Sequence, residues 1–220
     1  MQDAAVISLT EVRTRRRRMA AIELCTVFSV ILLQIWFWQN RSVEGTVVAY
    51  VLVTGIVCAG WAARGETLAA LGLGNVRAAA WAGLLLAAKL VVEKFHLFPH
   101  LTVFAGICFG VGGYFVWALL QELLLNGFFA VRLEDCFAGR LRACIAAGVI
   151  FAACHFPNPA LMPITLVWGI GASYIFLRMR RKNLYLLTLP HAVVGYGLAV
   201  LLPHFVAWHH PMAVGPRFWQ

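Results

Sequence analysis

The sequence predicts an all-α membrane protein, a helical bundle of seven or eight transmembrane helices around a polar cavity inside the bilayer. Three observations carry this. Of the 220 residues 62% are hydrophobic and only 12% charged, where a soluble domain is about a quarter charged. Mean hydropathy is +0.81, and several segments approach or exceed the ~20 apolar residues that span a bilayer as a helix. Within those segments stand a few polar residues, Gln121, Glu122, Asn126, His155 and His191, and an ionisable group in a hydrophobic span is a functional hypothesis by default.

The elements follow in order. Residues 1–19 are polar and basic and read as a cytoplasmic arm, possible disorder included. Residues 20–203 form one transmembrane domain, and 204–220 a mixed aromatic tail at the interface. The first span covers about 20–39, with Trp36 and Trp38 suited to an interfacial belt. Arg15 to Arg18 before an apolar stretch imitates a signal peptide, but the stretch is long and ends in Gln39-Asn40-Arg41 without a small-residue cleavage site. A second span covers 46–63. A third covers 78–93, where Lys89 snorkels from near the end. The segment 101–133 is long for one helix, roughly 50 Å at 1.5 Å per residue; Gly110, Gly112 and Gly113 are expected to kink or interrupt it, as one tilted helix or two pieces. Further spans cover 143–156, 161–177 and 184–202.

The net charge of +9 does not point to nucleic acid, because the basic residues lie at segment ends, as topology determinants do. Alternating through seven spans from a cytoplasmic amino terminus puts 14 Lys and Arg inside and three (Arg41, Lys94 and Arg217) outside. That is the orientation expected of a multi-pass protein of a prokaryotic inner membrane. The six cysteines form no CxxC pair and read as small apolar residues. Cys154 beside His155 reads as core, since adjacent helical residues point about 100° apart. His96 and His100 read as loop residues, and His204, His209 and His210 as near the outer surface.

Depth ties the remaining polar residues together. Counting from the nearest inside charge, Glu122 lies ~15 Å from Arg132, His155 ~20 Å from Arg142, and His191 ~14 Å from Lys182. All three fall near the middle of a ~30 Å core and are expected to meet in one pocket. A carboxylate and two imidazoles can hydrolyse a peptide bond with activated water, one group taking the proton and another protonating the leaving amine. Two histidines and a glutamate are also a plausible zinc set, and the residues alone leave both mechanisms open.

Gln121-Glu-Leu-Leu-Leu-Asn-Gly-Phe128 resembles the Glu-Glu-x-x-x-Arg-Gly-Phe motif of the CAAX-protease and bacteriocin-processing (CPBP) intramembrane endopeptidases. Phe151-Ala-Ala-Cys-His155 is similar to that family's Phe-x-x-x-His, and His191-Ala-Val-Val-Gly195 to its His-x-x-x-Asn. Gly169 to Leu177 resembles the glycine-containing helix ahead of the last histidine. The resemblance covers about 70–200. It implies a membrane bundle with His155 and His191 in the catalytic site, no obligatory metal or other cofactor, and glutamate-dependent cleavage of a membrane-anchored protein or peptide near its anchor. The partners implied are that substrate and the lipid bilayer, not nucleic acid.

Three positions depart from the family pattern. The first Glu, the one usually assigned as catalytic, is Gln121; the Arg is Asn126; and the closing Asn is Gly195. An amide is no general base, so Glu122 would take that role, freed from an i,i+4 ion pair that Arg would make. Gln121, Asn126 and Asn158 are the supporting hydrogen-bond donors, Asn158 standing in for the missing oxyanion Asn. The opposing reading of the same departures is an inactive member that binds a membrane peptide or confers immunity. A transporter would need a polar path through both leaflets, and the sequence supplies one polar layer.

Overall fold

Helix α1 runs Leu9–Leu33 and continues as a short π turn, Gln34–Trp38, in the computed structural model, which describes residues 9–39, 41–74, 104–205 and 212–219. No Gly or Pro interrupts α1, and Ala20, Leu24 and Val27 are buried on it at i, i+4 and i+7, the spacing of one helix face. The arginine-rich stretch from Leu9 to Met19 is helical and continuous with the first apolar segment. Helix α2, Val43–Ala63, starts at Ser42, whose hydroxyl accepts the Gly45 N–H at 2.9 Å. Such a cap satisfies a backbone donor that the helix itself cannot. Val43, Val47, Val48 and Val51 on α2 are all at least half exposed, which suits a helix solvated by lipid. The apolar segment 78–93, with Lys89, His96 and His100 around it, lies outside the described residues.

Helix α3 (Phe104–Glu122), a π segment (Leu123–Ala130) and α4 (Val131–Cys136) follow one another without a break. The glycines at 110, 112 and 113 do not interrupt the helix; the geometry changes at Leu123 instead. At Gly110 the Tyr196 ring fills the place of a side chain, so the glycine serves packing against another helix and not a bend. Helix α5 is Arg140–Ala153, α6 is Leu161–Arg178, α7 is Tyr185–Phe205, and a 3-10 turn closes the chain at Gly215–Trp219. Helix α7 runs past the expected domain edge at 203, and His204 is exposed in its last turn.

Among the described residues five stretches are long and apolar enough to cross a membrane: Thr10–Trp38, Val43–Ala63, Gly110–Cys136, Leu161–Arg178 and Tyr185–Phe205. Helix α5 has 14 residues, about 21 Å, and is too short to cross a ~30 Å core unaided. It stops at Ala153, so His155 sits in the turn beyond the helix and not within a span.

Helices α5 and α6 pack along each other, as do α3 and α7. The first crossing depends on two glycines: a Cβ on Gly169 would lie 2.8 Å from the Gly148 Cα. Small residues let membrane helices approach closely where no hydrophobic driving force joins them. At the basic end, Arg132 is fully buried and bonds Glu23 at 3.0 Å and Glu66 at 2.8 Å. Arg64 bonds Asp135 at 2.6 Å and Glu23 at 3.3 Å, and Arg16 bonds Asp135 at 3.0 Å. These pairs tie α1, the residues after α2 and α4 together, and they gather at one end arginines that the sequence placed on one side.

Gly169→Leu is expected to force α5 and α6 apart. The cost should be at least the ~1–3 kcal/mol of ordinary overpacking, seen as a lower unfolding temperature in detergent.

Candidate active site

The π segment turns Asn126 inward one turn after Glu122, and both are fully buried. The Asn126 amide donates to Glu122 Oε2. The Ser173 hydroxyl, from α6, donates to Asn126 Oδ1 at 2.9 Å. From the same helix the Trp168 indole N–H donates to Glu122 Oε1 at 2.7 Å. His191, in the second turn of α7, places Nδ1 2.7 Å from that same Oε1. Pro190 precedes it and removes the N–H that would bond the Leu186 carbonyl.

Asn126 therefore does more than stand where an ion-pairing Arg would. Position 126 bonds the carboxylate as a neutral donor, where Arg would make an ion pair.

His155 reaches this group through a ring. Its Nδ1 lies 2.8 Å from the Phe151 carbonyl, which can only accept, so Nδ1 carries the hydrogen. The Phe151 ring meets His155 edge-on at 4.9 Å and His191 edge-on at 5.9 Å between centroids. The structure thus joins Glu122 and His191 directly and sets His155 on the other contact of Phe151. Gln121 is partly buried beside Glu122.

Asn158 has a different position from the one expected of an oxyanion donor. Its Oδ1 accepts the N–H groups of Ala160 and Leu161 at 3.1 and 3.0 Å, and its amide donates to the Ala213 carbonyl at 3.0 Å. It caps the start of α6 and pins the tail. Gly215 N–H adds a bond to the Phe156 carbonyl at 2.8 Å, and Trp36 stacks on Phe156 at 6.0 Å. The tail and the end of α1 therefore hold the turn that carries His155.

Gly195 also has a packing reason. A Cβ there would meet the Tyr114 ring of α3, so a larger residue at this position needs that ring to move. Trp168 and Ser173 are the partners that sequence reasoning missed. Their signal was weak: a Trp in an apolar helix reads as belt or core, and a Ser as a small packing residue. Among the described residues no three His, Cys, Asp or Glu side chains group to hold a metal ion.

Residues 102–197 match the family model described as "Type II CAAX prenyl endopeptidase Rce1-like". No curated protein and no solved structure gives a significant match. The matched stretch contains every residue of the cluster above.

Asn158→Ala should free both the α6 cap and the tail. A loss of ~0.5–2 kcal/mol is expected for the cap, together with faster hydrogen exchange at residues 154–161 and 212–215.

Proposed function

We propose that this chain, whose residues 102–197 match a type II CAAX prenyl endopeptidase family model, is a CPBP-type intramembrane endopeptidase. It cuts a membrane-anchored protein or peptide near the anchor, as a maturation or sorting step. The family is a protease family, and the apolar helices mark a multi-pass membrane protein. The observation that carries the reading is the buried Glu122–His191 contact, 2.7 Å long, within the matched region.

Hydrolysis needs a proton acceptor for water and a donor for the leaving amine, and a coupled carboxylate and imidazole supply both. His155 presents a second imidazole with its hydrogen on Nδ1, which leaves Nε2 as the acceptor of the neutral ring. In this reading no metal takes part. The gathering of Arg16, Arg64 and Arg132 at one end supports an orientation with the amino terminus in the cytoplasm, by the excess of basic residues on that side; the cell is read as prokaryotic. The substrate is thus an anchored protein of the inner membrane.

Glu122→Gln is expected to lower cleavage ~10²–10⁴-fold while insertion and folding persist. Terminus profiling of membrane fractions from cells with wild type or variant at equal level should show uncut anchored precursors only with the variant. Gln121→Glu should keep activity. If Glu122→Gln processes every precursor as wild type does, Glu122 is structural. The chain is then a peptide-binding or immunity protein, a reading that Gln121 and the Tyr114-covered Gly195 favour.

Chelation tests the mechanism separately. Purified protein should keep its cleavage rate in excess chelator, and loss of cleavage restored by one zinc per chain would make it a metalloprotease.

A further inference from the structure

Glu122 Oε1 stands 2.7 Å from the Trp168 indole nitrogen and 2.7 Å from His191 Nδ1. An indole N–H only donates, so Oε1 already accepts one hydrogen. Oε2 faces the Asn126 amide nitrogen, and Asn126 Oδ1 takes the Ser173 hydroxyl. That second bond keeps the Asn126 NH2 turned toward the carboxylate. A carboxyl proton on Oε2 would meet the NH2, and one on Oε1 would share its oxygen with the Trp168 donor. With Glu122 ionised, it accepts at each contact and His191 donates from Nδ1. A neutral imidazole has one N–H, so the His191 lone pair is on Nε2. Exposure divides the pair in the same way: the Glu122 side chain is 0% exposed and that of His191 11%.

We propose, on the endopeptidase reading above, that His191 Nε2 is the base of the site and that Glu122 is its positioning residue. Trp168 and the Asn126–Ser173 pair support these roles, because with His191 they occupy most of the acceptor sites of a carboxylate that has no solvent exposure, while His191 keeps some. Water gives one proton to His191 Nε2 as its oxygen bonds the scissile carbonyl carbon, whose π electrons move to the carbonyl oxygen. The imidazolium, stabilised by the Glu122 carboxylate, returns that proton to the amide nitrogen as the C–N bond breaks. The products are a carboxylic acid and an amine, and no other reactant is needed. A carboxylate that orients an imidazole and stabilises its charged form, without itself taking the proton, is the logic of the Ser-His-Asp triad, here with water in place of the serine.

The test reads the tautomer of His191 directly. Full-length protein labelled with 15N-histidine in lipid nanodiscs, with His191→Gln to assign the signal, should show His191 protonated at Nδ1 and bare at Nε2 at pH 8. Trp168→Phe keeps the ring and removes the N–H; Ser173→Ala lets the Asn126 amide turn. Each should convert the single tautomer into a mixture, and each should lower processing of the anchored precursor ~10-fold or more, at the low end for a positioned acid or base. A hydrogen on Nε2 in the wild type overturns the proposal. So does an unchanged His191 spectrum in both variants, and if one fails to fold the other decides. Cleavage with an Nε2–H tautomer sinks only the choice of base. An Nδ1–H tautomer in a protein that cuts nothing sinks the endopeptidase reading beneath it.

Discussion

A carboxylate with no solvent exposure has to be matched inside the bundle, and Glu122 is matched by nitrogens from three elements: Asn126 on the π segment, Trp168 on α6 and His191 on α7. An unpaired charge in a low-dielectric interior costs several kcal/mol, so these helices cannot drift relative to one another without exposing that cost. The contact thus fixes function and architecture at once. The α5–α6 crossing at Gly148 and Gly169 and the α3–α7 crossing at Tyr114 and Gly195 bring the nitrogens within reach of one carboxylate.

The π segment belongs to the same requirement. It follows Glu122 directly and carries Asn126 to Ser173 while its Gly127 carbonyl accepts the Trp61 indole N–H at 3.3 Å. Such segments often occur at functional sites. Here it lets one continuous helix serve two ends: Glu122 and Asn126 in the polar cluster, and Arg132 among Glu23 and Glu66.

Much of this was legible in the sequence, for identifiable reasons. Apolar segments of spanning length and basic residues at their ends read out as helices with a common polarity, because lipid leaves the chain few alternatives. Glu122 and His191 stood out as ionisable groups at equal depth, and they are neighbours. The same count placed His155 at similar depth but could not show that α5 stops at Ala153, nor that Phe151 lies between the two imidazoles. Trp168 and Ser173 escaped because their roles depend on what a neighbouring helix presents, which no spacing within one segment encodes. Asn158 suggested chemistry as a polar residue near a histidine, and the contacts it makes include the first turn of α6 and a carbonyl 55 residues away. The glycines at 110, 112 and 113 looked like breaks because glycine weakens helices in water; beside Tyr196 one of them is a packing surface.

The acid–base cluster at the basic end also bears on how the chain is assembled. Glu23 lies on α1, ahead of its partners Arg64 and Arg132, which lie 41 and 109 residues further on. A lone carboxylate within a nascent span raises the cost of insertion by up to ~2.5–3.5 kcal/mol at the helix centre. Glu23 sits only a few residues beyond Arg18, toward the shallow end where that cost is lower. Helix α1 can enter the bilayer ahead of these partners and wait there incompletely paired. Its neutral resting place forms only when the second and fourth helices arrive, which makes ion pairing a late, ordering event in biogenesis.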